Sequence, residues 1–226
     1  MAHLHVPDGV LPPWLWVSAL AVAVLLLVAT GFANRAVTRK RIAFQSALGA
    51  LVLVAMSLEV PLGPFEYHLS LIGPVGVLLG AVAGFEVMFV VVAILALMGH
   101  GGLTVVGLNA LVLGAGTAVA RPIYRMLARR VPPAPALASA TAASQAVAGV
   151  LWMLVMAAAL HLRPGFPGAP AGVAHLGVLA AVALPLWVLG LVIESAVAFG
   201  VARFLVRVRP DLLPGAEPVA VAKGVT

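Results

Sequence analysis

The sequence predicts an all-α integral membrane protein, a bundle of about seven transmembrane helices with its N-terminus outside and its C-terminus in the cytoplasm. Hydrophobic residues make up 63% of the chain and charged residues 9%, whereas roughly a quarter of the residues of ordinary soluble domains are charged. The apolar residues form runs close to the length of about 20 that crosses a ~30 Å hydrocarbon layer. Positive charges cluster between these runs. We therefore expect a multi-pass protein of the cell inner (plasma) membrane.

The first two spans are bounded by helix breakers. The first runs from Trp14 to Ala33, directly after the Pro12-Pro13 pair, because proline suits the first turn of a helix. The second runs from about Ile42 to Leu62 and stops at the Gly63-Pro64 breaker. Basic residues lie between them: Arg35, Arg39, Lys40 and Arg41. This connection is predicted to be cytoplasmic.

The apolar run from Leu69 to Gly99 is too long for one untilted crossing. Glycine and proline interrupt it, so we predict a short helix to about Gly80 and a second helix from about Phe85. A fifth span follows a glycine-rich loop. Two further spans are predicted, at about Ala136 to Leu160 and His175 to Leu205.

The basic residues support two passes in the long run. With two passes, the cluster at positions 121–130 lies on the same side as that at 35–41, and Arg163 is the one exception among thirteen Lys and Arg. Because these clusters are short and separated by apolar runs, the net charge of +6 does not indicate nucleic acid. All histidines then lie outside: His3, His5, His68, His100, His161 and His175.

The chain reads as a single transmembrane domain, residues 1–210, with a short cytoplasmic tail at 211–226. The segment 1–13 has no Lys or Arg, so we expect no cleaved signal peptide and a retained first helix.

The N-terminus, Met-Ala-His-Leu-His, offers the strongest candidate ligands. A terminal amine, a deprotonated backbone amide and a nearby imidazole form small chelate rings that favour square-planar Ni(II) or Cu(II). If Met1 stays, its amine, two amides and the His3 ring complete four nitrogens. If Met1 is removed, Ala2 supplies the amine, His3 the amide and ring, and His68 a fourth nitrogen. The alternative interpretation is a frayed terminus that binds nothing.

Other polar residues lie near the predicted outer surface or within the spans. His68 precedes the broken Gly73-Pro74 region, which suits the wall of a site, although it also fits an interfacial histidine bonded to a carbonyl. Asn109, beyond the loop of His100, could orient a ligand histidine; for His100 alone, a tight turn with a cap is the favoured explanation. Glu194, inside the last span, is a weak candidate for internal packing.

Several classes of chemistry lack their residues. The chain has no cysteine, so any metal needs nitrogen or oxygen ligands. It contains neither the Gly-rich phosphate loop of ATPases nor His-Glu-x-x-His. Energy for transport would have to come from another subunit or from a gradient.

Three motifs together carry a family resemblance. They are His5-Val6-Pro7-Asp8-Gly9-Val10-Leu11, the loop histidine His68, and Gly99-His100-Gly101-Gly102 followed by Gly107-Leu108-Asn109. They resemble the CbiM/NikM substrate-binding membrane components of energy-coupling-factor cobalt and nickel transporters. The similarity covers most of the chain through Arg130. It implies a seven-helix bundle with an outward N-terminus, and a metal held by the terminal amine, the amide and ring of the second residue, and a loop histidine.

Carried onto this chain, the resemblance assigns the metal to Ala2, His3 and His68. His5 matches the Pro-Asp-Gly motif but lies too far from the terminus to share its chelate ring, so it is a neighbour or a replacement, and Met1 is the alternative terminal ligand. Residues around the metal are expected to include His100, Asn109 and Asp8. The Leu-Gly-Pro-Phe-Glu-Tyr-His loop and His100 itself depart from the family's usual pattern.

The resulting hypothesis is a non-catalytic subunit that captures Ni(II) or Co(II), in the family's case for uses such as cobalamin biosynthesis. Its expected partners are a transmembrane coupling subunit and cytoplasmic ATPases, with a small accessory membrane subunit as a further option. Two alternatives stay open. One is a subunit transporting an organic solute in a pocket of Trp14, Trp16 and Tyr67; the other is a metal-dependent membrane hydrolase using His68, Glu66 and His100.

Overall fold

A computed structural model describes residues 6, 8–9, 11–33, 38–58, 60–62, 65–162 and 176–214. These residues form six helices long and apolar enough to cross a membrane, and so a multi-pass membrane protein. In chain order the elements are α1 (Pro13–Ala33), α2 (Arg39–Ser57), β1 (Val60–Leu62), β2 (Phe65–Tyr67), α3 (Ile72–Leu97), α4 (Val106–Leu127), α5 (Pro133–Leu162), α6 (Leu176–Val208) and a 3-10 turn at Pro210–Leu212.

The predicted break near Gly80 is confirmed. Gly80 has φ 83° and ψ −179°, a backbone conformation that favours glycine. A Cβ placed on Gly84 would lie 3.8 Å from a methyl of Val75, whereas residues nine apart on a straight helix are about 13 Å apart. The chain therefore reverses at Gly80. We call residues 72–79 the half-helix and residues 81–97 the return arm; the return arm begins directly after Gly80 rather than near Phe85.

The described helices number six, and the count becomes seven only when the two arms of α3 are counted separately. The half-helix lies inside the bundle. Every residue from Ile72 to Val77 is buried, and the half-helix packs closely on α4 and α5, because a Cβ on Gly76 or Gly73 would overlap Thr117 or Thr141. Small residues permit this close approach of helices in a membrane.

The predicted end of the second span at Leu62 is wrong. Helix α2 ends at Ser57, and the next residues form an antiparallel hairpin in which Val60 pairs with Tyr67 and Leu62 with Phe65. Pro61 has no N–H for a helical hydrogen bond and disfavours a helical conformation at the residue before it. Because the apolar composition continues past Ser57, the sequence prediction placed the end of this helix too late. The last two predicted spans, Ala136 to Leu160 and His175 to Leu205, agree with α5 and α6 to within about one turn at each end.

The packed structure continues beyond α6. Leu213 is buried in a cluster with Val77, Tyr124 and Leu137, so the 3-10 turn closes one end of the bundle. The exposed pair Arg209 and Asp211 lies beside it with 2.8 Å between nitrogen and oxygen. The hydrogen bond from Arg209 holds the pKa of the Asp211 carboxyl below its usual range.

Candidate metal centre

The chain between β2 and the half-helix, residues 68–71, enters the bundle without forming secondary structure. We call this connection together with Tyr67, the last residue of β2, the re-entrant segment. Backbone N–H groups here need partners, because a helix leaves its first four N–H groups free and a bilayer offers no water to bind them. Glu194 of α6 provides the acceptor: Leu71 N lies 3.1 Å from Oε2, and Ser70 N donates to Oε1. Glu194 is 2% exposed. A carboxylate suits this position since the N-terminal end of a helix is electropositive.

Two further hydrogen bonds hold the re-entrant segment to α5 and α6. Gln145 Nε2 donates to Ser70 Oγ at 2.7 Å, and both residues are buried. The Tyr67 hydroxyl donates to the Gly190 carbonyl at 3.2 Å. His68 is partly buried between these attachments. The backbone on both sides of His68 is therefore attached to the bundle, which fixes where His68 lies in the fold.

The opposite end of the half-helix is held by a positive charge. Arg121 of α4 donates from Nε to the Val77 carbonyl and from Nη2 to the Leu78 carbonyl, each at 2.9 Å. These carbonyls belong to the electronegative end of the half-helix. Glu194 and Arg121 thus provide hydrogen-bond partners for the two ends of one short buried helix.

We call residues 1–13 the N-terminal segment. Asn109 of α4 attaches Val6, one of its described residues, to the bundle. The Asn109 Oδ1 accepts from Val6 N at 2.7 Å, and its Nδ2 donates to the Val6 carbonyl at 3.1 Å. Both residues are buried, with 0% of Val6 and 1% of Asn109 exposed. Asn109 therefore satisfies both backbone groups of the residue that directly follows His5.

Asp8 attaches the same segment to the loop between α3 and α4. Its carboxylate accepts from Leu103 N and Thr104 N at 2.9 Å each, and from the Thr104 hydroxyl. These contacts are exposed to solvent. The N-terminal segment and the loop of His100 consequently lie at the same end of the bundle, as the predicted sidedness requires.

Apolar contacts link the two attached segments. Val6 and Leu11 are buried with Met156 near the end of α5. Trp152 packs both against that cluster and against the larger core that includes Leu71 and Ile72. Trp152 therefore lies between the cluster that contains Val6 and the core cluster that contains Leu71.

The predicted ligand set lies partly outside the described residues. Met1, Ala2, His3 and His5 belong to the part of the chain that is not described, so their assignment stays a prediction. Among the described residues, no group of three or more His, Cys, Asp or Glu side chains could hold a metal ion. His68 and His100 follow β2 and α3 respectively, and both are partly buried.

Sequence reasoning missed Ser70, Gln145, Gly190 and the role of Arg121. A polar residue inside an apolar span is a signal that could have identified Gln145, as it did Glu194. Gly190 carried no such signal. The three aromatic residues proposed for the alternative solute pocket have different surroundings. Trp14 is 63% exposed, Trp16 packs against the cluster that contains Val6, and Tyr67 contacts α6.

These features define a class: a multi-pass helical membrane protein with a half-helix inside its bundle, capped by the side chains of Glu194 and Arg121, and an N-terminal segment attached at one end. The model of the family described as the CbiM cobalt uptake substrate-specific transmembrane region matches residues 5–212. The chain belongs to this family. The predicted family resemblance is thereby confirmed.

Other comparisons agree with this family. The chain is 28% identical over 219 residues to a protein of Methanocorpusculum labreanum described as a putative fused cobalt transport protein CbiMQ. That match covers 92% of this chain but 36% of the relative, so this chain spans little more than a third of the relative's length.

Two solved structures have a similar fold. One, described as a transition metal transporter, has a TM-score of 0.76 at 21% identity, covering 90% of this chain and 93% of the other. A truncated transition metal transporter has a TM-score of 0.74 at 20% identity, with 90% and 98% coverage.

Proposed function

We propose that this chain is the substrate-capture subunit of an ATP-driven importer of Ni(II) or Co(II) of the energy-coupling-factor type. The observation that carries the proposal is the attachment of both candidate ligand segments to the bundle. Asn109 holds the residue after His5, and Glu194 holds the residues after His68. Fixed ligand geometry is what selective metal capture requires. The subunit itself is non-catalytic.

The proposed ligands are the Ala2 amine, the amide and ring of His3, and the ring of His68, with Met1 and His5 as alternatives. Four nitrogens in a plane suit Ni(II), and Co(II) is less at home in that geometry. We expect Asn109, Asp8 and His100 to lie around this set. Substitution of a residue that supports a metal ligand typically costs about 10–100-fold in metal affinity.

The proposed partners are a transmembrane coupling subunit and cytoplasmic ATPases, with a small accessory membrane subunit as a further option. Support comes from the relative described as a fused CbiMQ protein, which carries more than this chain's length, and from the lack of a phosphate loop in this sequence. Co-expression of this chain with coupling and ATPase subunits should give ATP-dependent uptake of Ni(II) or Co(II). Equal uptake by this chain alone would contradict the partnership.

The experiment that tests metal capture is a Ni(II) and Co(II) titration of the purified apo protein. Protein with its native N-terminus is compared with a variant carrying extra residues before Met1, and with His68→Ala. The matched control is His161→Ala, which removes an exposed histidine at the end of α5 that is outside the proposed ligand set.

We expect tight one-to-one binding that is lost on N-terminal extension, is weakened but still measurable in His68→Ala, where three of the four nitrogens remain, and is retained in His161→Ala. A planar four-nitrogen site also predicts tighter binding of Ni(II) than of Co(II). Equal binding by the native and extended proteins would move the site to other histidines. Binding by none of them would refute metal capture and favour an organic solute.

A further inference from the structure

We infer that α6 fixes His68 through a two-point clamp formed by Gly190 and Glu194, so that Glu194 is a positioning residue for metal capture. This inference rests on the proposed function. It assigns a role to a buried carboxylate that is not itself a proposed ligand.

The clamp holds the chain on both sides of His68. Tyr67, directly before it, donates to the Gly190 carbonyl. Ser70 and Leu71, two and three residues after it, donate to Glu194. Residues four apart on a helix share one face, so both attachments come from the same surface of α6. His68 therefore cannot shift along the chain direction unless one attachment breaks.

The clamp depends on close contact at Gly190. A Cβ placed there would lie 2.7 Å from Cε2 of Tyr67. Any larger residue would push the tyrosine ring away from the Gly190 carbonyl that its hydroxyl binds. Gly190 is accordingly a point of close approach, while Glu194 provides the polar attachment.

Gln145 strengthens the second attachment from α5. Its side-chain amide donates to the Ser70 hydroxyl, and its backbone carbonyl accepts from the Trp187 indole N–H at 3.2 Å. Ser70 is thus held through its backbone N–H by Glu194 and through its side chain by Gln145. Supporting contacts of this kind around a metal ligand are worth about 10–100-fold in metal affinity.

The far end of the half-helix offers a matched control. Arg121 caps the carbonyls of Val77 and Leu78, as Glu194 caps the N–H groups of Ser70 and Leu71. The eight residues between these ends span about 12 Å. A variant at Arg121 removes an equivalent cap of the same half-helix at the end remote from His68.

The test uses full-length protein in detergent with its native N-terminus. Glu194→Gln, Tyr67→Phe and Arg121→Gln are each measured for Ni(II) affinity, for the visible absorption spectrum of bound Ni(II), and for thermal stability. Tyr67→Phe removes only the hydroxyl, so it tests the clamp even if Glu194→Gln does not fold. Glu194→Gln is also combined with His68→Ala in a double-mutant cycle.

We expect Glu194→Gln to weaken Ni(II) binding by about 10–100-fold and to alter the spectrum. Tyr67→Phe should weaken it in the same direction by a smaller factor, while Arg121→Gln lowers thermal stability and leaves the spectrum unchanged. In the His68→Ala background, Glu194→Gln should cause no further loss of affinity.

Three results would each overturn the clamp alone. They are affinity losses that are equal in Glu194→Gln and Arg121→Gln, a Glu194→Gln loss that persists without His68, and wild-type affinity in both Glu194→Gln and Tyr67→Phe. Absence of metal binding in the wild-type protein would instead refute the proposed function and the clamp together.

Discussion

The N-terminal segment and the re-entrant segment each carry a predicted metal ligand, but they are held in different ways. Asn109 and Asp8 hold the N-terminal segment at one end of the bundle, and the contacts of Asp8 are exposed. The re-entrant segment is held by the buried residues Gln145 and Glu194, and leads into a half-helix inside the core. The N-terminal segment is attached at one end of the bundle, whereas the re-entrant segment is part of the bundle itself.

This difference predicts how substitutions will act. Overpacking in the half-helix should unfold the protein, because the rest of the core packs around it. Damage to the N-terminal attachment should release a short segment and leave the bundle intact, since stability varies locally within a structure. Metal affinity should fall in both cases for different reasons.

The largest effect is expected for Gly76→Ala in the half-helix. An added Cβ would lie 2.2 Å from the Thr117 carbonyl oxygen, a backbone atom that cannot move independently. Overpacking of this kind costs about 3 kcal/mol. We expect low yield of folded protein and a large drop in the thermal unfolding midpoint in detergent.

The matched control is Gly200→Ala, on α6, where an added Cβ meets no atom within 4 Å. This variant should unfold at the same temperature as wild type or slightly higher, because alanine favours a helix over glycine. Equal midpoints for the two variants would show that the half-helix is not part of the rigid core.

An intermediate effect is expected for Asn109→Ala. The substitution leaves the N–H and carbonyl of Val6 without their buried partner, at about 1–3 kcal/mol for each unsatisfied group. Because the segment can leave the bundle for water, we expect local release rather than unfolding. Hydrogen exchange should become fast at Val6 while α3 and α4 stay protected, and Ni(II) affinity should fall.

Asn109→Asp is a second test of this attachment. It keeps an acceptor for Val6 N but sets a buried carboxylate oxygen against the Val6 carbonyl, so it should release the segment at least as readily as Asn109→Ala. If Asn109→Ala unfolded the protein as completely as Gly76→Ala, the distinction between an attached segment and a core segment would be wrong.

The helices and the reversal at Gly80 could be predicted from the sequence, whereas the hairpin could not. Apolar length and basic clusters indicate crossings because each follows from the bilayer itself. A glycine in a long apolar run marks a possible break. Val60 and Leu62 are as apolar as the helix before them, so only the adjacent prolines indicated its end.

The contacts of the site could be predicted less well. Glu194 was identified as unusual from its cost inside a span, but its partners Ser70 and Leu71 lie more than 120 residues earlier in the chain. One sequence contains no information on which distant residues meet. Asn109 was singled out as a support for a ligand histidine, and the structure places its amide on the backbone of Val6.

The smallest effect is expected for Asp8→Ala. Its carboxylate binds Leu103 N and Thr104 N at an exposed site, where water can take its place. Exposed hydrogen bonds contribute little because the lost partner is replaced by solvent. We expect a change of about 1 kcal/mol or less in stability and a loss of Ni(II) affinity smaller than that of Asn109→Ala.

Thr104→Val separates the two kinds of contact that Asp8 makes, because it removes the hydroxyl donor and keeps the backbone N–H. Its effect should be smaller still. If Asp8→Ala abolished metal binding while the Val6 amide stayed protected from exchange, Asp8 would act on the metal site directly. That result would place the acidic residue among the groups that determine affinity, rather than among those that only attach the N-terminal segment.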